Sequence, residues 1–495
     1  MNLRSDKRLK IDGQKGAKQW GLLGAFLSFF GLLWYVAPIG IYPDSGSYIA
    51  MQAGREPLYP LFLAFFRFVF READTIVWLA ASGQLDTEKA MEYIDRWPAL
   101  HVSMLVQSLF AAVGCYYLVR TIQRIFRLNL FLTILTALCT LIPYILTPLA
   151  SSSHMVLNKA VLTEGITFPL FMLFLGFMIQ GLFVGQGSEA EQGTVRKYEK
   201  WRYYGFGFLC SLFLVLTRNQ MLITFAAWCA VICFEILRNR NWKIGLLLFG
   251  GVLLFFAGRS GFNHMYNRIV HQGYVGADTG SYNMLTTFLY LSDAEDAGLF
   301  ADVEQKELFL EMHRQMEAEG MTLADAPKGI LNRAYHYEEY YDAIGFQIQQ
   351  PCLFGYVEQK GIPEGEALNE VVRVASEMND VLFPEVKGAY LSNYFATVVS
   401  GLTRSVSASG FIMGVYSVFI YLLAVVLMLY LYKKNRQSKA ALLMAFTLLM
   451  ICANVFATAL MIMCLSRYMI YNTALFYIAG LMCLAELYEY QKKRG

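Results

Sequence analysis

The chain has 495 residues, 56% of them apolar and only 16% charged, with a positive mean hydropathy and a formal net charge of +3. A soluble domain carries roughly 25% charged residues, so this composition excludes a soluble enzyme, a disordered chain and a secreted disulfide scaffold. The apolar residues gather in runs of about 17–24, the length that crosses roughly 30 Å of hydrocarbon, and this predicts an all-α polytopic membrane protein.

In chain order, a Lys/Arg-rich tail (1–19) leads into an apolar run with no small-residue cleavage site, which predicts an uncleaved first span. Ten spans are expected, at 20–39, 100–122, 128–147, 161–185, 201–217, 221–237, 242–258, 411–432, 440–464 and 468–487. Residues 20–258 form a seven-span module, 259–410 a separate domain, 411–487 three closing spans and 488–495 a short tail. Between the first two spans lies a loop, 40–99, whose apolar stretch at 60–70 is too short to cross and reads as an interfacial helix. The segment 259–410 contains helical stretches at 304–319 and 365–380 between Gly/Pro breaks, with an apolar share too small for a large core of its own. A mostly helical cap resting on the spans is expected there.

Charge fixes the expected orientation. Both tails and the connections at 120–127, 196–202, 238–243 and 433–439 hold 23 of the 41 basic residues, which puts them, with both termini, in the cytoplasm. The 259–410 segment has ten basic and 21 acidic residues, the balance of an extracytoplasmic domain. Seven of the nine Cys fall inside apolar runs, and no CxxC pair or Cys/His spacing suggests a disulfide framework or structural zinc.

The chemistry-bearing residues stand near the outer ends of the spans, where ionisable groups at membrane depth mark function more often than chance. Asp44 follows the first span, and Glu164 opens the fourth. Each also has a structural reading, Asp44 as a helix cap and Glu164 as a first-turn carboxylate favoured by the helix dipole. Arg218 lies in the tight connection between the fifth and sixth spans, and Arg467 between the ninth and tenth. Either can grip a phosphate bidentately or snorkel to headgroups. Arg404 and Lys159 are weaker members of the set. Acids can activate a hydroxyl or shape an oxocarbenium-like centre, and cations can hold a phosphate leaving group. That pairing suits sugar transfer from a lipid phosphate better than transport, which would place charges at mid-membrane.

The run PDSGSYIAMQAGREPLYPLFL resembles the first-loop motif of bacterial membrane glycosyltransferases of the GT-C superfamily, a group including the protein O-mannosyltransferases and the aminoarabinose transferase of lipid A. Asp44, Tyr48, Gly54, Pro57 and Pro60 carry the match; VLTEG (Glu164), LTRNQ (Arg218) and SRY (Arg467) resemble later motifs in the same order. Several members of the group have a paired Asp-Glu where Ser45 follows Asp44 here. The resemblance implies a GT-C-like fold and transfer, with inversion, from a polyprenyl-phosphate sugar to an extracytoplasmic lipid, glycan or protein. It implies Asp44 as base or acceptor-orienting carboxylate and Glu164 as its support or a metal ligand. Arg218 and Arg467, with Arg404 and Lys159, would bind the donor phosphate, and Tyr48, Arg55, Glu56 and Tyr59 would support the first loop. Two acids would admit a divalent cation without a cluster that compels one; no other cofactor and no nucleic-acid partner is implied. A polymerase or ligase of lipid-linked polysaccharide, or a flippase of such intermediates, are the alternatives.

Overall fold

A computed structural model describes residues 3–42, 44–72, 97–150, 154–184, 194–240, 242–271 and 280–492. Pro43, the 73–96 part of the first loop, Gly185 and the last basic residues, Lys493 and Arg494, lie outside the described residues.

The described chain is helical, without strands; its single bridge joins Gly40 to Ala160. A 34-residue helix α1 (Leu3–Val36) is followed by two short helices, α2 (Ser45–Ile49) and α3 (Leu58–Val69). Then come α4 (Pro98–Phe126), α5 (Leu130–Ala150), α6 (Glu164–Phe183), α7 (Thr194–Thr217), α8 (Leu222–Asn239) and α9 (Lys243–Val270). The cap consists of α10 (Gly280–Leu291), α11 (Val303–Ala318), α12 (Ile330–Ala343), α13 (Gln350–Gln359) and the 43-residue α14 (Glu364–Val406). The chain closes with α15 (Phe411–Lys434), α16 (Lys439–Ala459), α17 (Ser466–Met469) and α18 (Thr473–Lys492).

Among the described residues, eight helical segments are long and apolar enough to cross a membrane. They correspond to eight of the ten expected spans. The other two, the first and the fifth, are helices with shorter apolar parts. In α1 only Trp20–Val36 is apolar, and in α7 the first turns carry Lys200, Arg202, Tyr203 and Tyr204 ahead of the apolar half.

Helix α6 is the axis of the bundle. It is buried on every side, packed between α4 and α7, as expected of a helix that is apolar all round. The close approach of α4 depends on Gly114, where a Cβ would sit 2.8 Å from the Pro169 carbonyl oxygen. By contrast α9 and α15 are apolar but mostly exposed, with Leu246, Leu253, Phe411 and Val418 among the uncovered side chains. Such surface is stable only against lipid or another protein.

The cap has a buried core of its own, built from Phe309, Met312, Met316, Tyr337, Leu353, Val371, Met378 and Leu382 among others. This exceeds what its apolar share suggested. The reason is placement: Leu308, Phe309, Met312 and Met316 repeat at helical spacing, so few apolar residues cover one face of α11. Helix α14 belongs to both cores, with Val371 to Val386 in the cap and Val398 and Val406 in the bundle. It therefore fixes the cap on the end of the bundle that holds Asp44.

Candidate active site

The first loop is held against the segment preceding α6. The Gly40 N–H donates to the Lys159 carbonyl and the Val161 N–H to the Gly40 carbonyl, both at 2.9 Å. The Ser45 hydroxyl donates to the Val161 carbonyl (2.8 Å) and accepts from the Tyr42 N–H (2.9 Å). Arg67 of α3 donates to the Ile49 carbonyl, locking α3 to α2.

These restraints set Asp44 at the start of α2. It occupies the N-cap position, yet its side chain makes no capping hydrogen bond. Instead Arg55 Nη2 lies 2.7 Å from Asp44 Oδ1, and Arg467 Nη2 lies 3.7 Å from Oδ2. The carboxylate retains about a fifth of its exposure, so it stays reachable from solvent. Burial pushes the Asp44 carboxyl up, but Arg55 and Arg467 together outweigh it and hold the group below its ordinary value.

Glu164 is the first residue of α6 and is buried. Its Oε1 lies 2.6 Å from Arg218 Nη1, so it serves as an ion-pair partner as well as a first-turn acid. Arg218 precedes the 3₁₀ turn Asn219–Met221 and adopts an extended backbone. Its guanidinium lies 4.3 Å over the Tyr468 ring, and that of Arg467 lies 5.0 Å from the same ring. Arg467 also donates to the Tyr468 hydroxyl (2.9 Å), while its buried Nε has no partner. One aromatic ring thus carries two guanidinium groups, an arrangement that the weakly hydrated, planar Arg side chain favours.

The supporting residues complete the frame. Arg55 stacks 4.8 Å over Tyr48, Tyr48 meets Tyr59 edge-on, and the Tyr59 hydroxyl donates to Gln107 Oε1 at 3.1 Å. Glu56 accepts from the Asn219 N–H (3.1 Å), and Arg259 donates to Asn219 Oδ1 (2.9 Å). Gln220 donates to Asn454 Oδ1 (3.0 Å) and the Tyr468 carbonyl (3.1 Å), so the turn after α7 and the strip before α18 hold one another.

Two of the expected cations stand apart from this cluster. Lys159 donates to the Trp34 carbonyl at 3.0 Å and lies over the Trp34 ring. Arg404 is buried in an ion pair with Glu338 of α12 (2.5 Å) and donates to the Cys464 carbonyl (2.8 Å). Both act as braces between elements. Sequence reasoning gave Arg55 a supporting part, whereas it pairs directly with Asp44. It missed Tyr468 as the shared platform and Asp342 of α12, whose carboxyl feels the charges of Arg467 and Asp44. Tyr468 is the last residue of the SRY motif, where only Arg467 was given a part; Asp342 belongs to no motif. Among the described residues no group of three or more His, Cys, Asp or Glu side chains is arranged to hold a metal ion; Asp44 and Glu164 each face guanidinium groups.

No family model matches the chain, and no curated protein and no solved structure does. The class that the fold and its long apolar helices define is an all-α, multi-pass membrane protein, with a helical cap over a cluster of paired acids and arginines.

Proposed function

We propose that the chain is a glycosyltransferase that moves a sugar from a polyprenyl-phosphate donor to an extracytoplasmic acceptor, within a GT-C-like bundle of ten spans that includes α1 and the apolar half of α7. The observation that carries this reading is Asp44, a part-exposed carboxylate set between the guanidinium groups of Arg55 and Arg467, with the Glu164–Arg218 pair sharing the Tyr468 ring with Arg467. The guanidinium groups of Arg55, Arg218 and Arg467 converge here, and arginines suit the oxygens of a phosphodiester. The unpartnered Arg467 Nε is a donor for a phosphate oxygen.

In this reading the lipid phosphate lies against Arg467 and Arg218, which stabilise the negative charge that grows on it as the glycosidic bond breaks. Asp44 orients the attacking hydroxyl and offsets the positive charge developing at the anomeric carbon. Glu164 keeps Arg218 in place. The site faces the extracytoplasmic side, and both termini are cytoplasmic. The charged groups stand at helix ends rather than at mid-depth, which favours this reading over a transporter.

The test is sugar transfer by the full chain in detergent, with polyprenyl-phosphate sugars as donors. Asp44→Asn is expected to lower the rate by about 10²–10³-fold, with an unchanged elution profile and thermal unfolding. Full activity in that variant would overturn the role given to Asp44. Product formed only from lipid diphosphate sugars would favour a polymerase or ligase.

A further inference from the structure

An acceptor hydroxyl must lose its proton during transfer, and neither acid of the central cluster is well placed to take it. Both oxygens of Asp44 face guanidinium groups, and Glu164 is buried against Arg218. An ion-paired carboxylate held below its ordinary pKa is a poor proton acceptor.

The cap supplies a third acid. Helix α12 lies over the strip that carries Arg467. Its Tyr335 hydroxyl accepts from the Gly410 N–H (3.2 Å), and its Glu338 pairs with Arg404, which in turn holds the Cys464 carbonyl three residues before Arg467. Asp342 stands one turn beyond Glu338, so the two share a face of α12. Asp342 is partly covered by its neighbours but keeps surface open to solvent, forms no ion pair among the described residues, and lies in the field of both Arg467 and Asp44.

We propose that Asp342, contributed by the cap, is the general base that takes the proton of the acceptor hydroxyl, and that the cap is therefore part of the catalytic machinery. The inference rests on the transferase reading above and deepens it. In the step, a lone pair of the acceptor oxygen forms the new bond to the anomeric carbon. The bond from that carbon to the phosphate oxygen breaks, and its electron pair leaves with the lipid phosphate. The hydroxyl proton passes to the Asp342 carboxylate and from there to water. The surroundings suit the task. Burial pushes the Asp342 carboxyl above its ordinary value, Arg467 draws it back, and Asp44 adds to the rise. The charged groups of other elements whose field reaches it are Arg467 and Asp44; Glu338 and Glu339 are the other acids of its own helix.

The experiment measures kcat and KM against pH for wild type, Asp342→Asn, Asp342→Glu and the control Glu339→Gln, with polyprenyl-phosphate sugar and a hydroxyl acceptor. A base works deprotonated, so wild-type kcat/KM should fall as pH drops through a limb above the ordinary aspartate range. Asp342→Asn is expected to lower kcat by about 10²-fold or more, to lose that limb and to leave the donor KM within about twofold. Asp342→Glu should restore activity with a displaced limb, a rescue that a packing defect would not show, and Glu339→Gln should match wild type. Wild-type transfer with an undiminished rate and limb in Asp342→Asn would overturn the inference and leave the transferase reading standing. Asp342→Glu as inactive as Asp342→Asn, with the same thermal unfolding as wild type, would overturn it also. No wild-type transfer from any polyprenyl-phosphate sugar would overturn both.

Discussion

Tyr468 shows how much of the site depends on a single ring. Two guanidinium groups of like charge come together over it, which is tolerable because the ring face is electron-rich and because Glu164 and Asp44 stand opposite them. The two ion pairs differ in environment and so in consequence. Removing one partner of a buried pair leaves an uncompensated charge, and for Glu164→Ala the expected cost is about 3–5 kcal/mol. Asp44 keeps a fifth of its exposure, and water can take over part of its role, so Asp44→Ala should lower stability by less. Thermal unfolding in detergent checks the order: Glu164→Ala well below Asp44→Ala, and Asp44→Ala close to wild type. A reversed order would show that Asp44, rather than Glu164, is the structural acid. At this scale the sequence singled out Asp44, Glu164, Arg218 and Arg467 near the span ends, and the structure brings these four together. It did not show that Asp44 declines the capping role its position invites, because that choice depends on Arg55 and Arg467 arriving from other elements.

At the scale of elements, the first loop and α12 are the two arms that enclose the cluster. The first loop is secured by backbone bonds to the segment before α6 and by Ser45. Helix α12 is tied to the bundle by the pair of Arg404 with Glu338, reinforced by the Arg404 bond to Ser409 (2.8 Å), and to the cap by the buried contact of the Tyr337 and Thr287 hydroxyls (2.7 Å). Glu338→Gln leaves the Arg404 charge without its counterpart and should loosen α12. Hydrogen exchange is expected to speed up at amides 330–343 while those of α6 stay protected, and transfer should fall several-fold. Unchanged exchange across α12 would mean that the apolar contacts of Tyr337 and Ile344 hold the cap alone. Eight of the ten expected spans were legible as apolar runs, and α3 as a shorter apolar stretch, whose exposed face bears Phe65, Phe68 and Val69. The cap core was not legible. Its apolar residues are few in number but fall on one face of each helix, and which faces meet is set by the long reach of α14 between two cores.

At the scale of the whole molecule, the acidic cap and the basic connections define two ends. If the cap is extracytoplasmic, a cysteine introduced at the exposed Lys328 should add labelling by a membrane-impermeant thiol reagent in intact cells. One at the exposed Arg436, at the opposite end, should add none until the cells are opened. The reverse pattern would turn the molecule over and place the site in the cytoplasm. The two apolar helices α9 and α15 lie on the outside of the bundle, so lipid or a neighbouring chain completes them.

By itself the sequence determined the solvent of this protein, because hydropathy and charge are additive along the chain and need no partner to be read. It determined the helical class, the approximate spans and the polar residues that stand at their ends. Only the tertiary structure decided which of those residues meet. Asp44 and Arg467 come from opposite ends of the chain, Arg218 from its middle and Asp342 from the cap, and their proximity depends on how α6 is enclosed and how α14 seats the cap. Electrostatic pairing acts over a few ångströms in space, a distance that spacing along a sequence does not encode.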